Sequence, residues 1–420
     1  MNVLIVGNGA REHALAWKIQ GSPLVKKIFV APGNGGTSTI AENIPIKADD
    51  LPGLLQCAID HSIDITIVGP ETPLSMGIVD LFQQHNLSIF GPSQEASKIE
   101  SSKVFCKNLM RKYNIPTGYT EVFESYQEAL DYAKAASYPV VIKADGLASG
   151  KGVTIADNLE QAIKAIQECL VDKVFGDSGN KILIEEYLVG QEVSVFTFSD
   201  GTHISSLISA CDYKRAHDGD QGPNTGGMGS YTPPIFWTDE LERQINQAIM
   251  EPTIEAMSKE GTPFKGILYA GLMLTNEGPK VLEFNCRLGD PETQVILPRL
   301  DTDLIEIIMS IINGQLTETA ITWNTDAYVG IVIASQGYPG HYTTGTKINA
   351  IGALTDEELI FHSGTTAEQG NIYTDGGRVL TVVGRGNSVQ SARDKAYEHV
   401  RTVDFPGAFY RTDIGIPKQN

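Results

Sequence analysis

MNVLIVGNGAREHALAWKI, residues 1–19, is the stretch that decides the fold: a short apolar strand, a turn at Gly7 to Gly9, and an amphipathic helix. The strand-then-turn pattern returns in IFVAPGNGG (28–36), IDITIVGP (63–70) and LSIFGP (87–92), with helical segments between. Strands alternating with helices predict a doubly wound parallel sheet. Ligands of such sheets lie beyond the carboxyl ends of the strands. That makes Asn8, Gly9, Asn34, Gly35, Gly36, Pro70 and Glu71 candidates for one crevice; tight turns without a ligand are the plainer alternative. A nicotinamide dinucleotide is disfavoured, because its fingerprint needs a third small residue where helix meets strand and the turn G-N-G-A-R-E puts Glu12 there. The second strand also ends without the acid that would grip a ribose. A smaller phosphorylated molecule is the expected ligand.

With 420 residues, 41% hydrophobic and 20% charged, the chain has ample core-forming material but exceeds one compact core, so several domains are expected. A formal charge of -19 argues against a nucleic-acid surface, although local basic patches can still bind phosphates. Cys57, Cys106, Cys169, Cys211 and Cys286 are scattered and odd in number, which speaks against a disulfide framework and shows no zinc or redox spacing. No leader and no apolar run long enough to span a bilayer is evident. The expectation is therefore a cytoplasmic protein, a monomer or small homo-oligomer, with neither nucleic-acid nor membrane partners.

Further along, VLEFNCRLGDPET (281–293) begins like a strand yet carries Glu283, Asn285, Arg287, Asp290 and Glu292. Alternation along a strand puts Glu283, Asn285 and Arg287 on one face and Leu282, Phe284 and Cys286 on the other. A carboxylate beside an amide oxygen suits a hard cation such as Mg²⁺, and the guanidinium suits an anion next to it; a solvated face with an ion pair is the alternative. YPVVIKADGLASGKGVTIA (138–156) reads as two strands joined by a glycine-rich loop that can close over phosphates, with Lys143 before it and Lys151 within it. It is not a Walker loop, since Gly152 follows Lys151. KILIEEYLVGQEVSVFTF (181–198) reads as strand, bend and strand, an edge that can meet an adenine with Glu192 near the ribose; a plain hairpin is the alternative. CDYKRAHDGDQGPNTGGMGSYTPP (211–234) is the most unusual segment, and its glycines let backbone approach a ligand unless it is merely a disordered loop. A helix over 239–257 and the strand GILYAGLML (266–274) follow, and the last hundred residues read as a small α+β unit.

These pieces, in this order, resemble the ATP-grasp carboxylate–amine ligases, and among them the glycinamide ribonucleotide synthetase family. The resemblance spans essentially the whole chain. It is carried by GNGAREHAL (7–15), VGPETPL (68–74), IKADGLASGKGV (142–153), YKRAHDGDQGPNTGGMGSY (213–231), LEFNCRLGDPETQ (282–294) and YRTDIG (410–415). It implies a multidomain α/β ATP-grasp fold: an N-terminal Rossmann-like domain (1–100), a lid part with the glycine-rich loop (101–192), a central catalytic part (193–325) and a C-terminal α+β domain (326–420). It implies ATP-dependent joining of glycine to 5-phosphoribosylamine through a glycyl phosphate, with ATP as substrate and Mg²⁺ or Mn²⁺ as the metal. A sister ligase acting on bicarbonate or another carboxylate is the nearest rival, followed by a nicotinamide oxidoreductase and a nucleotide sensor without turnover.

The resemblance also implies roles residue by residue. Glu283 and Asn285 become metal ligands; Arg287, Lys143 and Asp212 become catalytic, with Arg287 holding the carboxylate or acyl phosphate. Lys103, Lys143, Ser149, Gly150, Lys151, Gly152 and Glu192 become ATP-binding residues, with Glu185 and Leu188 meeting adenine through their backbone. Lys214, Arg215, Asn224, Thr225, Gly226, Gly227 and Asp290 line the substrate site, and Gly9, Asn34, Gly35 and Gly36 cradle the 5-phosphate. The sequence departs from the family pattern at Tyr213, where His is frequent, at His217, where Gly is common, and in GILYAGLML, which lacks an extra metal-binding acid.

Overall fold

The computed structural model describes residues 1–147, 152–355 and 357–416. Strands β1 (Asn2–Gly7), β2 (Lys27–Pro32), β3 (Glu42–Asn43), β4 (Ile65–Val68) and β5 (Ile89–Phe90) form a parallel sheet in the order β3-β2-β1-β4-β5. Val3 to Val6 are fully buried because helices cover both faces, the usual condition of an all-parallel sheet. The short β3 is an addition that its sequence did not announce.

Strands β6 (Thr120–Phe123), β7 (Val140–Ala144), β8 (Val153–Ala156) and β9 (Ile182–Glu186) make a separate antiparallel sheet in the order β6-β9-β7-β8. The chain then leaves that sheet. After Tyr187 to Gly190 it enters β10 (Gln191–Asp200), which pairs with neither β9 nor its neighbours, so the plain hairpin reading of 181–198 is wrong. The central sheet gathers β10, β11 (Ile208–Asp212), β14 (Gly229–Thr232), β15 (Lys265–Thr275) and β16 (Gly278–Asn285), while β12 (Arg215–His217) and β13 (Gln221–Asn224) form a hairpin of their own. The segment 211–234 is thus ordered structure. The helical stretch after it carries Pro252, whose missing N–H and bulky ring would collide with an ordinary turn; a π turn at Asn246–Met250 accommodates it between Asp239–Ile245 and Glu251–Lys259.

The last part does not stand apart as a sheet. Strands β17 (Ala327–Ser335), β18 (Glu358–His362), β21 (Arg378–Gly386) and β22 (Ala408–Phe409) continue the central sheet, in the order β16-β15-β10-β11-β14-β17-β21-β18 with β22 beside β17. Strands β19 (Thr365–Glu368) and β20 (Asn371–Thr374) form a small ribbon, and helix Val389–Val400 covers β17 and β21. Among the described residues no helix is long and apolar enough to cross a membrane.

The N-terminal sheet is pinned to this end of the molecule by two buried histidines. The His362 N–H donates to His13 Nδ1 at 2.8 Å, and burial lowers the ring pKa of His13 to about 3 and of His362 to about 4 from 6.5, with His362 adding to the effect on His13. Both rings are neutral in the folded protein and protonate readily once unfolded. Between pH 6.5 and about 4 the unfolded chain therefore binds more protons, and stability falls as pH drops through that window. The expected slope is about 1.4 kcal/mol per pH unit for each histidine. Urea melts from pH 7 to 4 check this, and His13→Asn, which keeps an acceptor but no titrating ring, should lower the slope.

Candidate active site

The polar face of β16 is made by a bulge. Gly271 pairs with Glu283 but Leu272 pairs with Val281, so Leu282 is an extra residue in the ladder. Without it Val281 and Glu283, two apart, would share a face; with it Val281 is fully buried while Glu283 looks into the cleft. The unpaired Leu282 carbonyl accepts a hydrogen bond from Lys143 Nζ at 3.2 Å. The strand ends at Asn285, so Arg287 lies just beyond it, yet its Nη2 still reaches back to Asn285 Oδ1 at 3.4 Å.

Glu283 has no hydrogen bond or ion pair among the described residues. Burial opposes its ionisation, but Lys214, Lys143, Lys103 and Arg287 outweigh burial and hold the carboxyl below the usual range. An open, ionised carboxylate beside the Asn285 amide oxygen, in a field of cations, fits a hard divalent ion shared with polyphosphate oxygens. No group of three or more His, Cys, Asp or Glu side chains with metal-binding geometry occurs among the described residues. The protein ligand set is therefore small, and phosphate oxygens and water must complete any coordination shell.

Facing β16, the lid sheet contributes a buried triad. Glu185 Oε2 takes ion pairs from Lys143 at 2.9 Å and Lys107 at 3.1 Å, and Lys107 also donates to Thr117 Oγ1 at 2.7 Å. Burial opposes the charge on Glu185, but the two lysines prevail and keep its pKa low. Its other oxygen, Oε1, is buried without a partner. That leaves an acceptor for an N–H donor such as an exocyclic amino group. Glu185 pairs with Val141 and Thr120 inside the sheet, and its carboxylate lies buried against the two lysines. Leu188 lies between β9 and β10, outside either ladder. Lys103 opens helix Lys103–Tyr113 and its Nζ donates to Gly146 O at 3.1 Å, while Asp145 caps that helix through Val104 N at 2.8 Å. Of the glycine-rich loop, Ser149, Gly150 and Lys151 lie outside the described residues; Gly152 returns to the sheet, its carbonyl accepting from Ala144 N at 2.9 Å.

At the other end of the cleft Lys214 stands 3.6 Å from Glu192, which raises the lysine pKa well above its ordinary value. Asp212 Oδ1 is buried without a hydrogen-bond partner; burial, followed by Glu292, pushes its pKa well up. The 225–227 turn wraps this pocket: Thr225 N donates to Lys214 O at 2.7 Å, and Gly227, at φ +112°, sits where a Cβ would strike Pro291 and Asp212. Arg378 from β21 donates to Gly226 O and Asp290 O, both at 2.7 Å, and pairs with the Asp290 carboxylate at 3.3 Å. Asp290 Oδ2 in turn accepts from Arg11 N at 3.3 Å, so three regions of the chain meet on one carboxylate. Arg215 and Asn224 pair across the β12–β13 hairpin, and the Arg215 guanidinium turns to Gly222 O at 2.8 Å, away from the cleft acids.

Two expectations change here. Arg287 is largely occupied: Nε donates to Glu71 at 3.1 Å, Nη2 to Glu100 at 2.9 Å and to Asn285, and Nη1 to Leu288 O at 3.3 Å. One N–H of five remains for a substrate oxygen. The phosphate cradle at the N-terminal strand ends is also filled. Gly9 N donates to Glu12 Oε2 at 2.6 Å, Gly35 N to Thr365 O at 2.9 Å and Gly36 N to Asn34 Oδ1 at 2.8 Å, while Asn34 Nδ2 joins Asn8, Gly9 and His362 carbonyls. Glu12, 1% exposed, occupies the space beside Gly7 and Gly69 where a pyrophosphate would approach, which removes the dinucleotide reading. Lys107, Arg378, Arg11 and Glu100 escaped the sequence reading. Only Lys107 left a signal, its four-residue spacing from Lys103 on one helix face.

Two sheets closing on a cleft lined by lysines, with a carboxylate–amide pair on one wall, define an ATP-grasp enzyme. Family models match the chain in three consecutive blocks: phosphoribosylglycinamide synthetase N domain over 1–100, its ATP-grasp (A) domain over 101–293 and its C domain over 328–417. The chain belongs to the phosphoribosylglycinamide synthetase family. It is 48% identical over 416 residues to a phosphoribosylamine–glycine ligase of Halalkalibacterium halodurans, covering 99% of this chain and 96% of that protein. The crystal structure of phosphoribosylamine–glycine ligase from Thermotoga maritima superposes with a TM-score of 0.86 at 33% identity, covering 98% of this chain and 100% of that one. The biotin carboxylase domain of Hydrogenobacter thermophilus 2-oxoglutarate carboxylase, solved with MgADP and bicarbonate, shares the fold at a TM-score of 0.74 and 15% identity, over 97% and 91% of the chains.

Proposed function

We propose that this chain joins glycine to 5-phosphoribosylamine with ATP, giving glycinamide ribonucleotide, ADP and phosphate in purine biosynthesis. The observation that carries the reading is the open Glu283 carboxylate beside Asn285, facing Lys143 across a cleft between two sheets, with Lys214 near it on the side of its own sheet. Glycine's carboxylate is a poor electrophile, so it must first be activated. One of its oxygens attacks the γ-phosphorus, the bond to the β-phosphate oxygen breaks, and ADP leaves; the ribosylamine nitrogen then attacks the acyl carbon and phosphate departs with that glycine oxygen.

This chain's residues act by position and charge. Lys143 and Lys103 neutralise phosphate oxygens, Glu185 accepts from the adenine amino group through its unpartnered oxygen, and Glu192 lies where ribose hydroxyls would reach. Glu283 and Asn285 would hold Mg²⁺ or Mn²⁺, which supplies charge neutralisation between phosphates. Asp212, made more basic by burial, takes the proton released by the attacking amine. Lys214, Asp290 and the 225–227 turn enclose glycine and the ribosylamine. Arg287 acts mainly by setting Asn285. The described residues of the cleft offer no side-chain nucleophile that the reaction needs, and the chemistry is read as running through glycyl phosphate.

The test uses ATP, Mg²⁺, ribosylamine phosphate and glycine carrying ¹⁸O in its carboxylate. The expected products are glycinamide ribonucleotide by mass and one ¹⁸O in the released phosphate. Label in AMP would overturn the acyl phosphate, and product formed only with another carboxylate would overturn the choice of glycine.

A further inference from the structure

The segment Tyr410–Ile416 carries none of the cleft residues described above, yet it buries an arginine as completely as much of the core. Arg411 is 1% exposed. Its Nε and Nη2 grip both oxygens of Asp413 at 2.7 and 2.6 Å, its Nη1 donates to Arg215 O at 2.9 Å and Asp220 Oδ1 at 3.1 Å, and its guanidinium carbon lies 4.9 Å from the Tyr213 ring centre. Neighbouring residues repeat the grip. Thr412 N donates to Asp218 Oδ1 at 2.8 Å, Gly219 N to Asp413 Oδ2 at 2.9 Å, and Tyr213 OH donates to Ile416 O at 2.8 Å while accepting from Gly415 N at 3.0 Å. On its far side the segment is tied to helix Val389–Val400: Tyr397 OH donates to Arg411 O at 2.8 Å, and Arg393 donates to Ile414 O at 2.9 Å and Thr412 O at 2.7 Å.

The residues held this way either flank Lys214, as Tyr213 and Arg215 do, or form the tip of the hairpin that follows it, as Asp218, Gly219 and Asp220 do, and among the described residues the strap makes no contact with Lys214 itself. Successive side chains alternate in extended backbone, so a strap that holds the Tyr213 side chain turns Lys214 to the opposite side, toward Glu192 and Glu283, while the bond to the Arg215 carbonyl fixes the main chain on its other flank. Taking a guanidinium out of water is costly unless its donors are met with good geometry, and here four hydrogen bonds meet them while the Tyr213 ring covers a face. An apolar plug would fill the space without fixing a direction.

We propose that Arg411 is a positioning residue for ligation: through the β12–β13 hairpin it holds Lys214 at the substrate end of the cleft. The proposal rests on the function read above and accounts for Tyr213, the departure from the family pattern, as the ring and hydroxyl that the strap uses.

A double-mutant cycle tests it. Wild type, Arg411→Met, Lys214→Ala and the double variant are compared by KM for glycine, ribosylamine phosphate and ATP, and by melting temperature; Arg411→Lys serves as the conservative variant. Arg411→Met should raise KM for glycine or ribosylamine phosphate about tenfold, with KM for ATP unchanged within about twofold, and Arg411→Lys should fall between it and wild type. In the Lys214→Ala background the same change should add less than about twofold. A full additional loss there, or a lower melting temperature with unmoved KM values, would overturn the role. Should Arg411→Met fail to fold, Tyr213→Phe, which removes only the strap's hydroxyl contacts, completes the same cycle. A wild-type protein without ligase activity would instead sink the functional reading itself.

Discussion

Glu283→Gln is expected to cut turnover by roughly 10³-fold while the protein still folds, because an amide of the same shape cannot balance a divalent cation between phosphates. No protein donor bonds the Glu283 carboxylate among the described residues, so the change breaks no internal contact. What it removes is a negative charge that Lys214, Lys143, Lys103 and Arg287 all favour. Steady-state rates across a Mg²⁺ titration, with a melting curve beside them, check the expectation. Near-normal turnover at ordinary Mg²⁺ would take Glu283 out of the site.

The second large effect is on stability. Arg287→Met should cost about 3–5 kcal/mol, since it strands two carboxylates that now share one guanidinium. Glu100 is the more sensitive partner: burial holds its pKa above the carboxylate range even with Arg287 present, and the Cys286 N–H donates to it at 2.8 Å. Glu71 behaves oppositely, its burial outweighed by Arg287 and Arg11, which keep it low. Without the guanidinium, Glu100 would hold a proton still more tightly in the folded state than in the unfolded one. A raised folded pKa contributes stability that is present at low pH and lost as pH rises, so the deficit should shrink between pH 8 and 5. Urea denaturation at the two pH values measures it. A deficit below about 1 kcal/mol at pH 8 would show that the carboxylates find other partners.

Legibility in the sequence followed the range of the interactions. The strand-turn-helix period of the first hundred residues is local and announced the parallel sheet, and the alternation in VLEFNC announced the polar face carrying Glu283 and Asn285. The bulge at Leu282 was hidden, because only pairing with β15 reveals that 281 and 283 part company. Arg287 read as a free guanidinium, since its partners Glu71 and Glu100 lie some two hundred residues away in the chain. Gly35 looked like part of an anion cradle for the same reason, since Thr365, which consumes its N–H, is brought there by tertiary contact; the N–H of Gly36 is consumed locally by the Asn34 side chain two residues before it. Arg378 gave no signal at all, being one arginine in an ordinary strand.

The continuous sheet running from β16 to β18 makes the cleft a vice with one jaw bolted down. Glu283, Asn285, Asp290, Lys214 and Arg378 all ride on that jaw or on loops tied to it, whereas Lys143 and Glu185 ride on the four-stranded sheet reached only through Lys103–Tyr113 and the crossing at Tyr187 to Gly190. A rotation of that sheet about its two connections would carry the nucleotide grip while the acceptor seats stay put. Among the contacts that latch it are Lys107 on Glu185, Lys143 on the Leu282 carbonyl and Lys103 on the Gly146 carbonyl. The extra residue in β16 is thus the striker plate, and alignment of the phosphoryl donor with glycine becomes a matter of one rotation instead of several independent adjustments.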